Sequence, residues 1–342
     1  MYAFVMSAGL GTRLRPLTYT IPKPMVPVAN KPALEHTLVL LKKYGIEDII
    51  INVHFMPEFI QDYFEDGSRW GVRIIYSHEK KLLGTAGGVK KAEEYLKNGT
   101  FLIMSGDGLT NIDLKKLISF HKNKKSAVTM ALKPVSSRIE YGLTETNKKG
   151  RIMRFLEKPT WAETFKGVPV GINTGIYVLE SWVLDYMPVG KEFDFAKNVF
   201  PLLLGDGKKI FGHYTDEYWC DIGNMTQYRE AHNAILEGRA SVKIEGRKKG
   251  KIWMGSCCKI HPSARFGGSA IIGNNCNIKA KTEISGLTVI GNNLFVDEGA
   301  VIKNCIIWDD VHIGKGVRAE NCIIAKGTRM KEKISVYDGI IQ

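Results

Sequence analysis

From Ile260 onward an apolar residue returns every six positions: Ile260, Phe266, Ile272, Ile278, Ile284, Ile290, Val296 and Ile302. The phase then slips by one, and Ile307 and Ile313 carry it on. Polar, glycine-rich segments lie between them, such as Gly273-Asn274-Asn275, Gly291-Asn292-Asn293 and Gly314-Lys315-Gly316. An amphipathic helix brings its apolar face round every 3.6 residues, so an unbroken period of six excludes one. A single six-residue unit cannot bury its own apolar side chain. Units of this kind must stack to form a core, and stacking leaves faces free for self-association.

Such a repeat resembles the hexapeptide parallel β-helix, with one aliphatic residue per flat side turned inward. A left-handed parallel β-helix is therefore expected over 256–342. The repeat constrains fold strongly and chemistry weakly. Acyltransferases with this repeat use a catalytic histidine, and His261 and His312 fall within it. Acyl transfer is the lesser alternative, because the large N-terminal part would then have no role.

The 342 residues are too many for one ordinary core and suit two domains. The expected boundaries are a catalytic domain over 1–235, a basic connector over 236–255 and the β-helix over 256–342. No run of eighteen apolar residues could span a membrane, and the N-terminus lacks the basic region of a signal peptide. Six cysteines with no C-x-x-C spacing argue against a disulfide framework and for a reduced, cytoplasmic protein. The net charge is +13, from 48 Lys and Arg against 35 Asp and Glu. Lys243, Arg247, Lys248, Lys249 and Lys251 crowd one short stretch without interleaved aromatics or a nucleic-acid motif. A solvated connector is the simpler reading, so neither nucleic acid nor a membrane is expected as a partner.

Before residue 235 the chain alternates strand-like and helix-like segments. Phe4–Met6, Asp48–Val53, Val72–Tyr76 and Phe101–Met104 read as strands; Pro32–Tyr44, Glu58–Phe64 and Gly88–Leu96 read as helices. This spacing implies an α/β domain with a mixed, mostly parallel sheet, which binds ligands beyond the carboxyl ends of its strands. Directly after the first strand comes Ser7-Ala8-Gly9-Leu10-Gly11-Thr12-Arg13-Leu14-Arg15-Pro16. Its glycines admit a ligand close to the backbone, and successive amides can form an anion-binding nest. Leu14 stands where a dinucleotide fingerprint needs its third glycine, and the Gly-Lys-Ser/Thr ending of a P-loop is missing. Arg13 could grip a polyphosphate bidentately, and Lys23 is held between Pro22 and Pro24.

Gly9 to Thr18 followed by Pro22-Lys23-Pro24-Met25 resembles the signature of the sugar-1-phosphate nucleotidylyltransferases. The resemblance continues in order through Leu83-Gly84-Thr85-Ala86-Gly87, Ser105-Gly106-Asp107, Phe155-Leu156-Glu157-Lys158-Pro159, Asn173 to Tyr177 and Trp219 to Gly223. It is greatest toward the mannose-1-phosphate guanylyltransferase (GDP-mannose pyrophosphorylase) branch, especially prokaryotic forms that continue into a mutase-like region. No such region follows Gln342, so a stand-alone or shortened version is expected. Ala8 occupies a position where many members have glycine, which could alter the fit against the base.

The resemblance implies a nucleotide-binding, glycosyltransferase-A-like domain making an NDP-sugar and pyrophosphate from an NTP and a sugar 1-phosphate. Asp107 and Asp221 each end a strand-like segment, and the resemblance makes them the metal pair for Mg²⁺, a hard cation that takes carboxylates and phosphate oxygens. Asp113 and Asp206 are assigned to capping and a turn. The resemblance makes Arg13 and Lys23 catalytic, with Ala8, Gly9, Gly11, Thr12, Gly84 and Gly87 around the nucleotide. It gives Lys158 the sugar phosphate, Glu157 the sugar hydroxyls, and Asn173 and Gly142 the rest of the sugar pocket. His54, His78 and Trp219 are read as packing or surface residues. The expected pair is GTP with mannose 1-phosphate, and the expected assembly is a homo-oligomer through the β-helix. Thymidylyl, uridylyl or adenylyl transfer to glucose 1-phosphate, or a non-catalytic subunit that binds nucleotide sugar, are the alternatives.

Overall fold

The computed structural model describes residues 1–135, 142–156 and 169–342, and the chain forms two compact units. The first contains 1–11, 21–25 and 37–221; the second contains 12–20, 26–36 and 222–342.

The first unit is organised by a mixed sheet. Its strands run in the order Ile152–Leu156, Leu143–Thr146, Val170–Leu179, Phe101–Ser105, Tyr2–Met6, Asp48–Val53 and Arg73–His78, and Val128–Pro134 and Ile210–Tyr214 extend it beside Val170–Leu179. The strands around Tyr2–Met6 are parallel, whereas Val170–Leu179 runs antiparallel to each of its neighbours. Ile49, Ile50 and Ile51 are all fully buried, as in a central parallel strand covered on both faces. Phe4, Ile50, Val89, Phe101, Ile103, Met130 and Phe200 belong to one core cluster.

The expected helices appear as Ala33–Lys43, Pro57–Phe64 and Glu93–Leu96, and a further helix, Gly84–Lys91, starts four residues before the expected Gly88. Three glycines make this a poor helix by propensity. Tertiary contact compensates: the Phe193 carbonyl accepts the Ala86 amide at 2.9 Å and the Gly87 amide at 3.1 Å.

The second unit is built on the β-helix. Arg265–Ile272 pairs in parallel with Glu283–Ile290, eighteen residues on. Between Ser285 and Val289 the step falls to seventeen, with Ser285 beside Lys303 but Val289 beside Ile306 and Ile290 beside Ile307. That shortened turn is the phase slip read in the sequence. Ile272, Ile278, Ile284, Ile290, Val296, Ile302, Ile307 and Ile313 are buried in one stack, while Ile260 and Phe266 at its start are half-buried. Ile271, Val289 and Ile306 alternate with inward positions, so they face out of the coil, yet they too are buried. Helix Met225–Leu236 packs on these strands, and the Trp308 indole donates to the Tyr228 hydroxyl at 3.0 Å.

These compact units differ from boundaries drawn at 235 and 255. Helix Met225–Leu236 groups with the β-helix through that Trp308 contact, and its Tyr228 hydroxyl donates in turn to the Pro27 carbonyl at 2.6 Å, inside the same unit. The hairpin Pro27–Val28/Lys31–Pro32 groups there as well, with Asn30 donating to the Ile290 carbonyl at 2.6 Å. The basic stretch is partly β-structure: Arg247–Lys249 pairs antiparallel with Ile252–Met254, which pairs in parallel with the first long β-helix strand.

Candidate functional site

In the first unit the sheet order reverses at Tyr2–Met6, which has Asp48–Val53 on one side and Phe101–Ser105 on the other, all parallel. Connections that leave such neighbours diverge and open a crevice at their carboxyl ends. Ser7–Gly11 leaves one strand there and Gly106-Asp107 leaves the next. The Gly106 amide donates to the Met6 carbonyl at 2.9 Å and holds the two exits side by side. Ala8 is buried. Open space lies where a Gly9 side chain would stand, and Gly11 has φ +64°, the left-handed region that favours glycine. Gly9 thus leaves room beside the backbone, and Gly11 makes the turn. Thr12 and Arg13 follow in the chain and open the exposed side of a 3₁₀ turn, Thr12–Leu14, in the second unit, with Leu14 buried beneath.

The two aspartates are neighbours. Trp219–Asp221 pairs antiparallel with Gly108–Thr110, and Asp221 lies opposite Gly108. Lys23 forms an ion pair with Asp107 and a longer one, 3.5 Å, with Asp221. Ser105 donates its hydroxyl to Asp107. Burial pushes the Asp107 carboxyl up, but the Lys23 ammonium and the Ser105 hydroxyl outweigh it and hold it below the usual carboxylate value. Among the described residues no cluster of three or more His, Cys, Asp or Glu side chains gathers. Two carboxylates sharing one ammonium keep a net negative charge, which fits a hard divalent cation that completes its shell with phosphate and water oxygens.

Asn173 sits on a bulge. The register of Val170–Leu179 against Val128–Pro134 shifts between Asn173 and Tyr177, and Gly175 has φ +75°. Thr174 donates its hydroxyl to the Ala131 carbonyl at 2.8 Å, and the Trp219 indole donates to the Thr174 carbonyl at 3.1 Å. The Asn173 amide donates to the Gly142 carbonyl at 3.1 Å, so these two expected sugar-pocket residues adjoin. Glu157 and Lys158 lie outside the described residues.

Gly84 and Gly87 have a packing reason to be glycine. A Cβ on Gly84 would come within 2.6 Å of the Phe193 carbonyl oxygen, and one on Gly87 within 2.5 Å of the Lys191 carbonyl oxygen. The Gly87 amide is already taken by Phe193. What this segment can offer a base is shape and position more than that amide.

Sequence reasoning missed Ser105, Asn52 and Glu79. Asn52 and Glu79 are 4% and 5% exposed and hydrogen-bond each other at 2.7 Å behind the glycine turn. The available signal was a lone amide in the apolar run Ile49-Ile50-Ile51-Asn52-Val53. Asp113 caps helix Leu114–Lys124 by accepting the Lys116 amide, and Asp206 ends helix Phe200–Gly205 while accepting the Tyr186 hydroxyl. His54 hydrogen-bonds the Glu79 carbonyl, and His78 is exposed.

A family model described as Nucleotidyl transferase matches residues 2–238, well over half of the chain. The chain belongs to that family. A second model, the EIF2B subunit epsilon LbH domain, matches residues 249–341, in keeping with the left-handed β-helix. Among curated relatives, a UTP–glucose-1-phosphate uridylyltransferase of Synechocystis is 35% identical, covering 100% of this chain and 93% of its own. A mannose-1-phosphate guanylyltransferase of Mycobacterium tuberculosis is 37% identical, covering 70% of this chain and 65% of its own. Among solved structures, HddC from Yersinia pseudotuberculosis complexed with GMP-PN superposes with a TM-score of 0.59 at 26% identity, covering 68% of this chain and 99% of that one. The nucleotidyl transferase described here is an enzyme of the sugar-1-phosphate nucleotidylyltransferase class. No helix among its described residues is long and apolar enough to cross a membrane.

Proposed function

We propose that the enzyme makes GDP-mannose and pyrophosphate from GTP and mannose 1-phosphate at the strand-end site of the first unit. The observation that carries this reading is Lys23 held between Asp107 and Asp221 beside the glycine turn. A phosphate oxygen of the sugar phosphate would attack the α-phosphorus in line, the bond from α-phosphorus to its β-bridging oxygen would break, and pyrophosphate would leave. That nucleophile is already an anion at neutral pH, so no protein base has to take a proton from it. Catalysis then consists of positioning and charge neutralisation.

The amides around Ala8, Gly9, Gly11 and Thr12 would cradle the triphosphate, while the segment holding Gly84 and Gly87 borders the base. Asp107 and Asp221 would hold Mg²⁺, which supplies charge neutralisation on the phosphates. Arg13 and Lys23 would stabilise negative charge building on the departing pyrophosphate. Lys158 would hold the sugar phosphate, with Glu157, Asn173 and Gly142 reading the sugar. The same proposal includes a cytoplasmic protein and a homo-oligomer assembled through the flat faces of the β-helix, which light scattering would register as a mass above 38.2 kDa.

Guanine and mannose rest on the guanylyltransferase among the relatives and on the guanine nucleotide named for the solved structure. The uridylyltransferase that aligns over the whole chain supports UTP with glucose 1-phosphate as the second reading. Running the reaction backward separates them. Pyrophosphate added with GDP-mannose should yield GTP faster than any of UDP-glucose, dTDP-glucose or ADP-glucose yields its triphosphate; faster breakdown of UDP-glucose would replace the first reading with the second.

A further inference from the structure

We propose that Asn52 and Glu79 are positioning residues that lock the nucleotide turn Ser7–Gly11 to the base-bordering segment Leu83–Gly88. This rests on the assignment of the nucleotide to that turn. Asn52 lies beside Met6 in the parallel pairing, one residue short of where the turn begins. Its side-chain oxygen accepts the Ser7 amide at 2.7 Å, and its side-chain nitrogen donates to Glu79 Oε1 at 2.7 Å. Glu79 Oε2 accepts the Leu83 amide at 2.9 Å. The Glu79 backbone is pinned as well, with its amide on the Val53 carbonyl at 2.8 Å and its carbonyl on His54 Nδ1 at 2.7 Å.

The knot leaves no slack. A Cβ on Gly88 would stand 2.5 Å from Glu79 Oε1 and 3.0 Å from Asn52 Nδ2, so glycine lets the helix close onto the pair. The Ser7 hydroxyl is buried there without a hydrogen-bond partner among the described residues. A further unmatched group in this dry place would displace the turn or the helix start rather than be tolerated.

The polarity of the chain of bonds is fixed by its ends. Backbone amides donate at both, Ser7 at one and Leu83 at the other. Between them, one residue must accept twice and the other must accept once and donate once. Glutamate, which accepts at two oxygens, and asparagine, which does both, satisfy this. Glu79→Gln sets an NH₂ group against a donor. Asn52→Asp sets two carboxylate oxygens against each other. In the double variant N52D/E79Q the roles exchange. The carboxylate now at position 52 accepts from the Ser7 amide and from the side-chain NH₂ at position 79, whose side-chain oxygen accepts from Leu83. Every bond is restored with the charge moved from one partner to the other.

The test measures kcat/KM for the NTP and KM for the sugar phosphate in N52D, E79Q, the double variant and a Gly9→Ala control. Each single variant is expected to lower kcat/KM for the NTP by about tenfold, the effect of one mismatched buried hydrogen bond, with KM for the sugar phosphate unchanged. The double variant is expected to recover to within about threefold of the wild type, a coupling that independent structural damage would not produce. Losses that multiply in the double variant overturn the proposal. So do single variants that change the melting temperature but leave the NTP parameters intact. Should the single variants not fold, a double variant that folds with near-wild-type kinetics supports the lock, and one that does not fold overturns it. Gly9→Ala adds a methyl into open space, so a rise in its KM for the NTP shows that the turn meets the nucleotide. If that control leaves KM unchanged, it is the nucleotide assignment that fails.

Discussion

Lys23 is the residue on which the chemistry of the site turns. It sits between two carboxylates that would repel each other without a cation, and its ammonium helps keep Asp107 charged despite burial. Arg13 has no such confinement: it is exposed on a 3₁₀ turn and available to a polyanion. Arg13→Ala is therefore expected to fold normally and to lower kcat by about a hundredfold, the loss of one transition-state donor. Steady-state kinetics with saturating substrates check this; unchanged turnover removes Arg13 from the mechanism. Residues that make their own contacts were legible in the sequence: Gly11 where the chain turns, and Asp107 and Asp221 at strand ends. Asn52 and Glu79 were not, because each acts through another residue and the Asn52–Glu79 pairing is known only once the strands are registered; the Ser105 contact with Asp107, two residues on, went unread although both stand in one motif.

At the scale of elements, the six-residue period reports an inward stack, and its one-residue slip reports the turn where coils shorten from eighteen to seventeen residues. Ile290→Ala, at a fully buried position in mid-stack, is expected to destabilise the β-helix by about 2–5 kcal/mol. Ile260→Ala, half-buried at the start of the stack, should cost clearly less. Urea unfolding of the two variants compares them directly, and equal losses would contradict the stacking order. Helix Gly84–Lys91 was harder to read, because its glycines oppose a helix locally and the Phe193 carbonyl that secures it is more than a hundred residues away in sequence. Gly84 combines φ +71° with a 2.6 Å approach to that carbonyl oxygen. Gly84→Ala is accordingly expected to destabilise the first unit by about 1–3 kcal/mol, measured as a lowered urea midpoint. The bulge at Asn173 was equally hidden, since the motif names the residue but not the shift in register that sets it beside Gly142.

At the scale of the whole chain, the sequence separates an α/β part from a repeat, but does not show the grouping of early segments with the repeat in one compact unit. The hairpin around Asn30 joins the second unit through contact with Ile290, which is 260 positions away, and nothing local announces that. The same unit makes stability depend on pH. Burial lowers His232 from 6.5 to about 3; the Pro27 carbonyl it hydrogen-bonds opposes the shift, and nearby His36 and Arg229 add to it. Tyr228, the other ring against it, is neutral in this range. The unfolded chain takes up a proton near pH 6.5 that the folded chain refuses, so the stability present above pH 6.5 falls as pH drops toward 3. The expected slope for this one group is up to about 1.4 kcal/mol per pH unit. His232→Gln should flatten that slope in urea unfolding between pH 7.5 and 5, and parallel slopes in the two proteins would contradict the assignment. The central claim, nucleotidyl transfer to a sugar phosphate at the Lys23–Asp107–Asp221 site, is tested most directly by pyrophosphate release. The folded wild-type protein, given GTP, mannose 1-phosphate and Mg²⁺, is expected to release one pyrophosphate per GDP-mannose formed, and Asp107→Asn is expected to lose that release. No pyrophosphate from the wild type with any of the four NTPs and either sugar phosphate, or full release by Asp107→Asn, would contradict it.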